Sequence, residues 1–189
     1  MKNPERGKVK TRLAATLGRE KALGVYKKLL NHTINAASQT NVVREVWYSS
    51  FVDENDTILP ELFDKKLQPE GNLGAKMAHA FREGFGNGFS KVVIIGSDCP
   101  GISSNLLEQA YRELDEHDLV IGPSEDGGYY LLGMNRYLPA LFENIEWSTD
   151  RVLPHTLEKA KTLSLSAGLL EELNDIDTEE DLENSSFNA

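Results

Sequence analysis

The stretch Val92-Val93-Ile94-Ile95-Gly96-Ser97-Asp98-Cys99-Pro100 decides the fold class of this chain. Four apolar, β-branched residues follow one another without alternation, which is typical of a strand covered on both faces, as in the middle of a parallel sheet. In open α/β sheets, ligands bind beyond the carboxyl ends of the strands. Because Asp98 lies just past the end of this strand, it is the leading candidate for a site residue.

Helices and strands alternate on both sides of this stretch. Hydrophobic periodicity and capping residues predict helices over residues 11–38 (interrupted at Gly18), 73–85, 104–117 and from Ser148 or Thr149 to about 160, and a short helix within 177–182. Runs of β-branched and apolar residues predict strands over 42–50, 119–122, 129–134 and 162–166. The strands around Gly127-Gly128 should pair antiparallel, whereas the preceding strands should be parallel. The sequence therefore predicts one α/β domain over residues 1–189, with three α/β/α layers, a mixed, mostly parallel sheet and a frayed tail at 184–189.

Composition and charge exclude several classes of protein. The 189 residues carry 20 Lys plus Arg against 30 Asp plus Glu, a net charge of −10, which opposes binding to nucleic acid. No apolar run approaches the roughly 20 residues of a membrane span, and the first residues show no secretory signal. The single cysteine, Cys99, forms no internal disulfide, and the four histidines lie too far apart in sequence for a zinc motif. We expect a cytoplasmic protein with neither nucleic acid nor a membrane as partner.

Asp98 has two interpretations. A carboxylate at the end of a buried strand can hold Mg²⁺ or Mn²⁺, which one or two carboxylates and ligand phosphates typically coordinate. Alternatively, Asp98 only accepts hydrogen bonds from the backbone of the turn. The turn Glu125-Asp126-Gly127-Gly128 is equally open: paired glycines allow close approach of a ligand, but a simple hairpin uses the same residues.

A cationic cluster precedes the first helix of this acidic chain and consists of Arg6, Lys8, Lys10 and Arg12. Cations beside a helix start suit phosphate groups, so the cluster is a candidate site for a di- or triphosphate. A solvated run of charges is the alternative. Neither a Walker-type loop nor a dinucleotide fingerprint occurs in the chain.

The acidic segment near the C-terminus contains Asp175, Asp177 and Thr178. Thr178 is predicted to cap a helix, with acidic residues in its first turn. Capping leaves Asp175 and Asp177 unexplained, and either could supply a second carboxylate to a metal. Cys99 has no obvious base beside it and is interpreted as a small buried residue.

Taken together, six motifs resemble the bacterial DUF2064 family over nearly the whole chain. They are residues 2–13 (KNPERGKVKTRL), Gly71-Asn72-Leu73-Gly74, Gly96-Ser97-Asp98-Cys99-Pro100, Gly122-Pro123 with Asp126-Gly127-Gly128-Tyr129-Tyr130, Trp147-Ser148-Thr149 and Asp175-Ile176-Asp177-Thr178. This family is described as glycosyltransferase A-like, with the Rossmann-like fold of nucleotide-diphospho-sugar transferases. It is similar to the molybdenum-cofactor and phospholactate guanylyltransferases.

The resemblance implies roles for individual residues. Lys10 and Arg12, with Lys8, Thr11 and Gly74, would bind the nucleotide and its phosphates. Asp98 would stand in the place of the metal-binding, catalytic aspartate, Asp177 in that of a distal metal ligand, and Asp126 would face the acceptor or the sugar.

One departure is that family members normally begin with an apolar strand before the Lys2-Asn3-Pro4 segment, whereas Met1 directly precedes it here. The expected first strand is therefore missing from this chain, which predicts exposed sheet edges and either low stability or oligomerisation.

Three functions remain in view. The first is a metal-dependent transferase that uses Mg²⁺ or Mn²⁺, a nucleotide-diphospho-sugar donor and a small-molecule acceptor. The second is a nucleotidyltransferase, similar to guanylyltransferases, that transfers NMP from an NTP to a phosphorylated acceptor. The third is a nucleotide-binding protein without catalysis, since a fold alone never proves function.

Overall fold

The computed structural model describes residues 1–185 and residue 187. In chain order these form α1 (Thr11–Leu17), α2 (Arg19–Ser38), β1 (Glu45–Tyr48), β2 (Asp64–Leu67), α3 (Leu73–Gly86), β3 (Val92–Ile95), α4 (Ser104–Glu116), β4 (Leu119–Pro123), β5 (Tyr129–Met134), a short 3-10 helix (Pro139–Phe142), α5 (Val152–Thr162), β6 (Ala167–Leu169) and α6 (Glu179–Glu183). The predicted α/β class is confirmed. Part of the predicted frayed tail, at residues 186, 188 and 189, lies outside the described residues.

The chain divides into two compact units. Unit 1 contains Met1–Gln68, Ser97–Ser104 and the chain from Asn174 onward, and unit 2 contains Pro69–Gly96 and Asn105–Leu173. Each unit has its own sheet and its own buried core. No helix among the described residues is both long and apolar enough to cross a membrane.

Unit 1 packs helices against a small parallel sheet. β1 pairs with β2 in parallel, and Val46 and Tyr48 of β1 are buried in a cluster that Ile34 of α2 contacts. A second cluster joins Leu13 of α1 to residues of α2, Ile176 and α6. The predicted interruption at Gly18 is confirmed, since Gly18 separates α1 from α2 with φ 82°, a value that glycine adopts without a steric penalty.

Unit 2 has three layers. Its sheet has the strand order β3-β5-β4-β6, with β5 antiparallel to both β3 and β4, as predicted for β4 and β5, and β6 parallel to β4. Leu132 and Met134 of β5 face a core that includes Phe81 of α3 and Ala160 of α5. Gly133, between them, lies against Leu114 of α4, because successive residues of a strand point to opposite faces.

Several details of the prediction are wrong. β3 is a strand as predicted, but it lies at the edge of the four-stranded sheet, and its four residues are only partly buried. The predicted strand at 162–166 is displaced to Ala167–Leu169, because α5 continues to Thr162 and Ser164 turns the chain with φ 55°. β2 was not predicted, since its Asp-Lys-Lys-Leu sequence lacks β-branched and aromatic residues.

The start of α5 also differs from the prediction. Neither Ser148 nor Thr149 caps it, since the helix begins at Val152 with Arg151 at the N-cap and no side-chain cap. Thr149 instead stabilises the preceding turn: its hydroxyl donates to the Glu146 carbonyl at 2.7 Å and accepts from the Arg151 N–H at 3.3 Å. Thr149 therefore makes the hydrogen bonds typical of a capping residue, but in the turn that precedes α5 rather than at its N-cap.

Candidate functional site

An open cavity of about 200 Å³ lies in unit 1. It brings together five of the residues that the sequence predicted for the site, from three separate stretches of the chain. Three further residues complete its lining, so that the full set is Lys2, Val9, Lys10, Thr11, Arg12, Tyr26, Asp98 and Asp177. Charged groups of both signs therefore surround one small space.

Lys10 lies at the centre of this charge distribution. It occupies the N-cap position of α1 in the left-handed conformation, φ 46° and ψ 52°, which is uncommon for a residue with a side chain. Its side chain is 3% exposed. The ammonium nitrogen Nζ is 2.9 Å from Asp177 Oδ1 and 3.3 Å from Asp98 Oδ2, so one buried cation bridges two carboxylates.

Asp98 has one satisfied and one unsatisfied oxygen. Oδ2 faces Lys10, whereas Oδ1 is buried and has no hydrogen-bond partner among the described residues. A buried acceptor without a donor costs free energy, and such groups in native proteins call for a ligand, an ion or a water. The orphaned oxygen therefore favours the ligand-binding interpretation of Asp98 over the turn-capping one.

Asp177 is held by the start of α6. Its successor, Thr178, is the N-cap of that helix and forms a reciprocal capping box with Asp181, which confirms the predicted cap. The backbone N–H groups of Asp177 and Thr178 donate to Asp181 Oδ2 at 3.0 and 2.7 Å. Burial acts to raise the pKa of Asp181, but hydrogen bonds led by the Thr178 backbone outweigh it and lower that pKa. Asp181 thus remains an acceptor that positions the Asp177 backbone.

Arg12 and Tyr26 supply further polar groups to the lining of the cavity. Arg12 Nη1 is 3.8 Å from Asp177 Oδ2, and its side chain is 78% exposed. The Tyr26 hydroxyl donates to the Lys2 carbonyl at 2.7 Å, and burial raises the pKa of this phenol to about 12. Tyr26 therefore stays neutral at physiological pH.

Sequence reasoning missed Lys2, Val9 and Tyr26 as lining residues. Tyr26 lies on the apolar face of the predicted first helix, where an aromatic residue is ordinarily core, and it is indeed 2% exposed. The one feature of the sequence that could have indicated a site role for Tyr26 is its hydroxyl, which needs a hydrogen-bond partner when it is buried.

Two cations of the predicted cluster lie outside the cavity lining. Lys8 Nζ is 3.0 Å from Glu5 Oε2, and Arg6 Nε is 3.2 Å from Glu20 Oε2. Both pairs are formed within unit 1 by exposed basic side chains. Lys10 and Arg12 of the predicted cluster therefore line the cavity together with Lys2, and a phosphate role for Lys8 stays a prediction.

Asp126 and Gly74 belong to unit 2. Asp126 Oδ1 accepts hydrogen bonds from Ser124 Oγ at 2.5 Å and from the Gly128 N–H at 2.9 Å, which are the contacts expected of a hairpin turn. A Cβ atom on Gly74 would lie 2.2 Å from the Trp147 indole, so packing alone explains a glycine there. The acceptor-facing role of Asp126 and the nucleotide-binding role of Gly74 stay predictions.

Cys99 follows Asp98 but does not line the cavity. It is 1% exposed, as the sequence indicated, and burial raises the pKa of its thiol to about 11. Because the thiolate is the nucleophilic form, a thiol with this pKa is a poor nucleophile at neutral pH. Cys99 is therefore interpreted as a buried structural residue rather than a nucleophile.

The carboxylates of Asp98 and Asp177 fit a hard divalent cation whose remaining ligands come from a phosphate compound. No group of three or more His, Cys, Asp or Glu side chains suited to a metal occurs among the described residues. Asp98 and Asp177 nevertheless supply two carboxylates, and Mg²⁺ commonly takes one or two carboxylates and completes its shell with substrate phosphates and water. The orphaned Asp98 Oδ1 agrees with such a ligand.

Comparison with known proteins shows where this chain belongs. A family model described as an uncharacterized protein conserved in bacteria, DUF2064, matches residues 33–149. A search of curated proteins gives no significant match. A solved structure from Desulfovibrio desulfuricans G20, named as a candidate nucleotide-diphospho-sugar transferase, is 32% identical, with 99% of this chain and 87% of that chain covered and a TM-score of 0.87.

More distant structures share the fold alone. One is 4-diphosphocytidyl-2C-methyl-D-erythritol synthase from Anaerococcus prevotii DSM 20548, 11% identical, with 82% of this chain and 83% of that chain covered and a TM-score of 0.57. Another is CMP:2-keto-3-deoxy-manno-octonic acid synthetase in complex with CTP, also 11% identical, with 82% and 85% covered and a TM-score of 0.52. With its family model, its 32% identical relative and the shared fold, this chain belongs to the DUF2064 family.

Proposed function

We propose that this protein is a metal-dependent transferase whose donor is a nucleotide-diphospho-sugar and whose acceptor is a small molecule. The observation that carries the proposal is the convergence of Asp98 and Asp177 on Lys10, with Arg12 beside them, in one cavity. Carboxylates for a cation, next to cations for an anion, suit a ligand that carries both a metal and a diphosphate. The 32% identical relative, itself named as a candidate nucleotide-diphospho-sugar transferase, supports this donor class.

Each charged residue has a task in this scheme. Asp98 and Asp177 would hold Mg²⁺ or Mn²⁺, which supplies a Lewis acid that stabilises negative charge on phosphate oxygens. When the bond between the sugar and the diphosphate breaks, that charge grows on the departing nucleotide. The Lys10 ammonium and the Arg12 guanidinium can share it, and preorganised charges of this kind typically make the largest contribution to catalysis.

A second candidate is nucleotidyl transfer, in which an acceptor phosphate attacks the α-phosphate of an NTP and pyrophosphate leaves. The observation that favours it is the contrast between the two cations of the site. Lys10 is buried, whereas Arg12 is 78% exposed and can reach a second phosphate group that enters from solvent. The distant structural likeness to a synthetase that binds CTP is consistent with this reaction but shows the fold alone.

The test is a thermal-shift panel of NTPs, NDPs and NDP-sugars, with and without Mg²⁺ or Mn²⁺. A ligand at 100 times its Kd stabilises by about 2.7 kcal/mol, and each kcal/mol moves Tm by roughly 2–4 °C at this chain length. We expect a metal-dependent shift with one NDP-sugar, lost in Asp98→Asn and kept in Asp64→Asn, which alters an exposed carboxylate of β2 in the same unit.

The other outcomes separate the alternatives. A shift confined to one NTP favours nucleotidyl transfer. A nucleotide that binds without forming product over a broad set of acceptors indicates the third possibility, a binding protein without catalysis. A full metal-dependent shift in Asp98→Asn contradicts the proposed metal site.

A further inference from the structure

The Lys10 ammonium lies between Asp98 and Asp177, the two carboxylates that would hold the proposed metal ion. Its ammonium is within 2.9 Å of one Asp177 oxygen and 3.3 Å of one Asp98 oxygen. The Lys10 side chain is only 3% exposed, whereas the side chains of Asp98 and Asp177 are 41% and 48% exposed, so solvent reaches the carboxylates but hardly the lysine. In this structure the two carboxylates already have a cation, and it belongs to the chain.

A divalent ion bound to the two oxygens that Lys10 contacts would compete with the ammonium for them. Mg²⁺ binds carboxylate oxygens at about 2.0–2.1 Å, closer than either Lys10 contact. An ion at that distance from both Asp177 Oδ1 and Asp98 Oδ2 would face the Lys10 charge at short range, and like charges repel there. Binding of the ion therefore requires that the ammonium move away.

We infer that Lys10 excludes free divalent cations from Asp98 and Asp177 and admits one only when a polyphosphate draws the ammonium away. Lysine suits this exchange, because its charge is carried on a flexible four-carbon chain and binds phosphate as readily as carboxylate. Metal and nucleotide then bind with positive cooperativity, and each raises the affinity for the other by the same factor. This inference rests on the proposed function, which supplies both the metal and the diphosphate.

The direct test measures Mn²⁺ binding to the whole protein in the absence of nucleotide, by the electron paramagnetic resonance signal of free Mn²⁺. Lys10→Met removes the charge and keeps the length of the side chain. We expect this variant to bind Mn²⁺ about tenfold or more tightly than the wild type, a change of the size that neighbouring groups produce at metal sites. Adding Asp98→Asn to Lys10→Met should abolish the gain.

Matched variants separate the effect of charge from that of packing. Lys10→Arg keeps the charge and should bind Mn²⁺ as weakly as the wild type. Lys65→Met removes another lysine whose side chain is little exposed, at 7%, and which pairs with Asp56 at 2.8 Å in the same unit; this variant should leave Mn²⁺ binding unchanged. If Lys10→Met does not fold, as judged by circular dichroism, Lys10→Gln replaces it. Inorganic pyrophosphate, added to the wild type, should raise Mn²⁺ binding beyond what pyrophosphate alone sequesters.

Failure of the inference can be told from failure of the proposed function. If the wild type binds Mn²⁺ alone, Asp98→Asn abolishes that binding, and neither Lys10→Met nor Lys10→Gln strengthens it, the exclusion by Lys10 is overturned while the metal site stands. If neither the wild type nor the Lys10 variants bind Mn²⁺ through Asp98, with or without pyrophosphate, both the inference and the metal-dependent function are overturned.

Discussion

The backbone N–H of Ile176 donates a hydrogen bond of 3.2 Å to the carbonyl oxygen of Asp98. This bond joins the loop after β3 to the segment that carries Asp177. The separation of the two carboxylates is therefore set by main-chain geometry as well as by Lys10, so it should survive when Lys10 moves. Supporting contacts of this kind are what a binding site needs to keep its side chains in place.

The capping box of α6 should matter for both stability and the site. Thr178→Ala removes the side-chain acceptor of the Asp181 N–H, and loss of an N-cap typically costs about 1 kcal/mol. We expect Tm to fall by roughly 2–4 °C and the metal-dependent ligand shift to shrink, because Asp177 directly precedes the cap. The control is Thr162→Ala, which removes only an exposed hydroxyl bond to the Glu158 carbonyl. Equal losses in the two variants would contradict this role of the cap.

Gly74 should tolerate no side chain. A Cβ there would lie 2.2 Å from the Trp147 indole, and overpacking of this kind typically costs about 1–3 kcal/mol. Gly74→Ala should therefore lower the free energy of unfolding, measured by urea denaturation. Gly24→Ala is the matched control, since Gly24 lies in α2 with open space around it and alanine favours a helix by up to about 1 kcal/mol. If Gly74→Ala is as stable as the wild type, Trp147 is not packed as described.

Stability should fall in acid partly through Asp56. Burial acts to raise the pKa of this carboxyl, but hydrogen bonds from Lys65 and the Tyr48 hydroxyl outweigh burial, so its pKa in the folded state is lowered. The unfolded chain then binds the proton more readily, and the stabilisation is present above about pH 4. It is lost as the pH falls through the lowered pKa.

The measurement for Asp56 is the free energy of unfolding as a function of pH between roughly 2 and 6. Asp56→Asn should be less stable than the wild type at pH 6, with the difference shrinking at pH 2. Asp64→Asn, at an exposed position of β2, is the comparison and should follow the wild-type curve. A pH-independent difference between Asp56→Asn and the wild type would show that the charge of Asp56 contributes nothing.

Cys99 should prove dispensable for binding and inert in the native protein. Its thiol is 1% exposed and has a pKa raised to about 11, mainly by burial. An aromatic disulfide reagent at pH 7 should label it only after denaturation. Cys99→Ala should keep the metal-dependent ligand shift that Asp98→Asn loses. Rapid labelling of the folded protein would contradict the buried position.

The sequence predicts most elements of the fold because their local signals are strong. The β-branched run of β3 and the amphipathic spacing of α3 and α4 are such signals. Local signals do not determine neighbours, so the edge position of β3 was missed. β2 was missed because its Asp-Lys-Lys-Leu sequence forms a strand through pairing with β1 rather than through propensity. β6 was displaced in the prediction for the same reason, since Ala-Gly-Leu forms a strand through pairing with β4.

The site could be predicted as a set of residues but not as an arrangement. Asp98, Lys10, Arg12 and Asp177 were singled out from charge, position and family resemblance, and the structure brings them together. Lys10 bridges both carboxylates from a left-handed backbone conformation, and neither feature has a signal in the sequence. Tyr26 was not predicted as a site residue, because its position on the apolar face of the helix indicates a core residue.

The discontinuous makeup of unit 1 has a consequence for how the candidate site is assembled. Synthesis proceeds from the N-terminus, and the stretch that carries Asp177 is made after the whole of unit 2. Until that stretch docks through Ile176, Lys10 has one acidic partner instead of two. A chain still on the ribosome therefore contains Lys10 and Asp98 but lacks Asp177, so its candidate site is incomplete. Under the proposed function, the second carboxylate for the metal is therefore added only once the chain beyond unit 2 has been made.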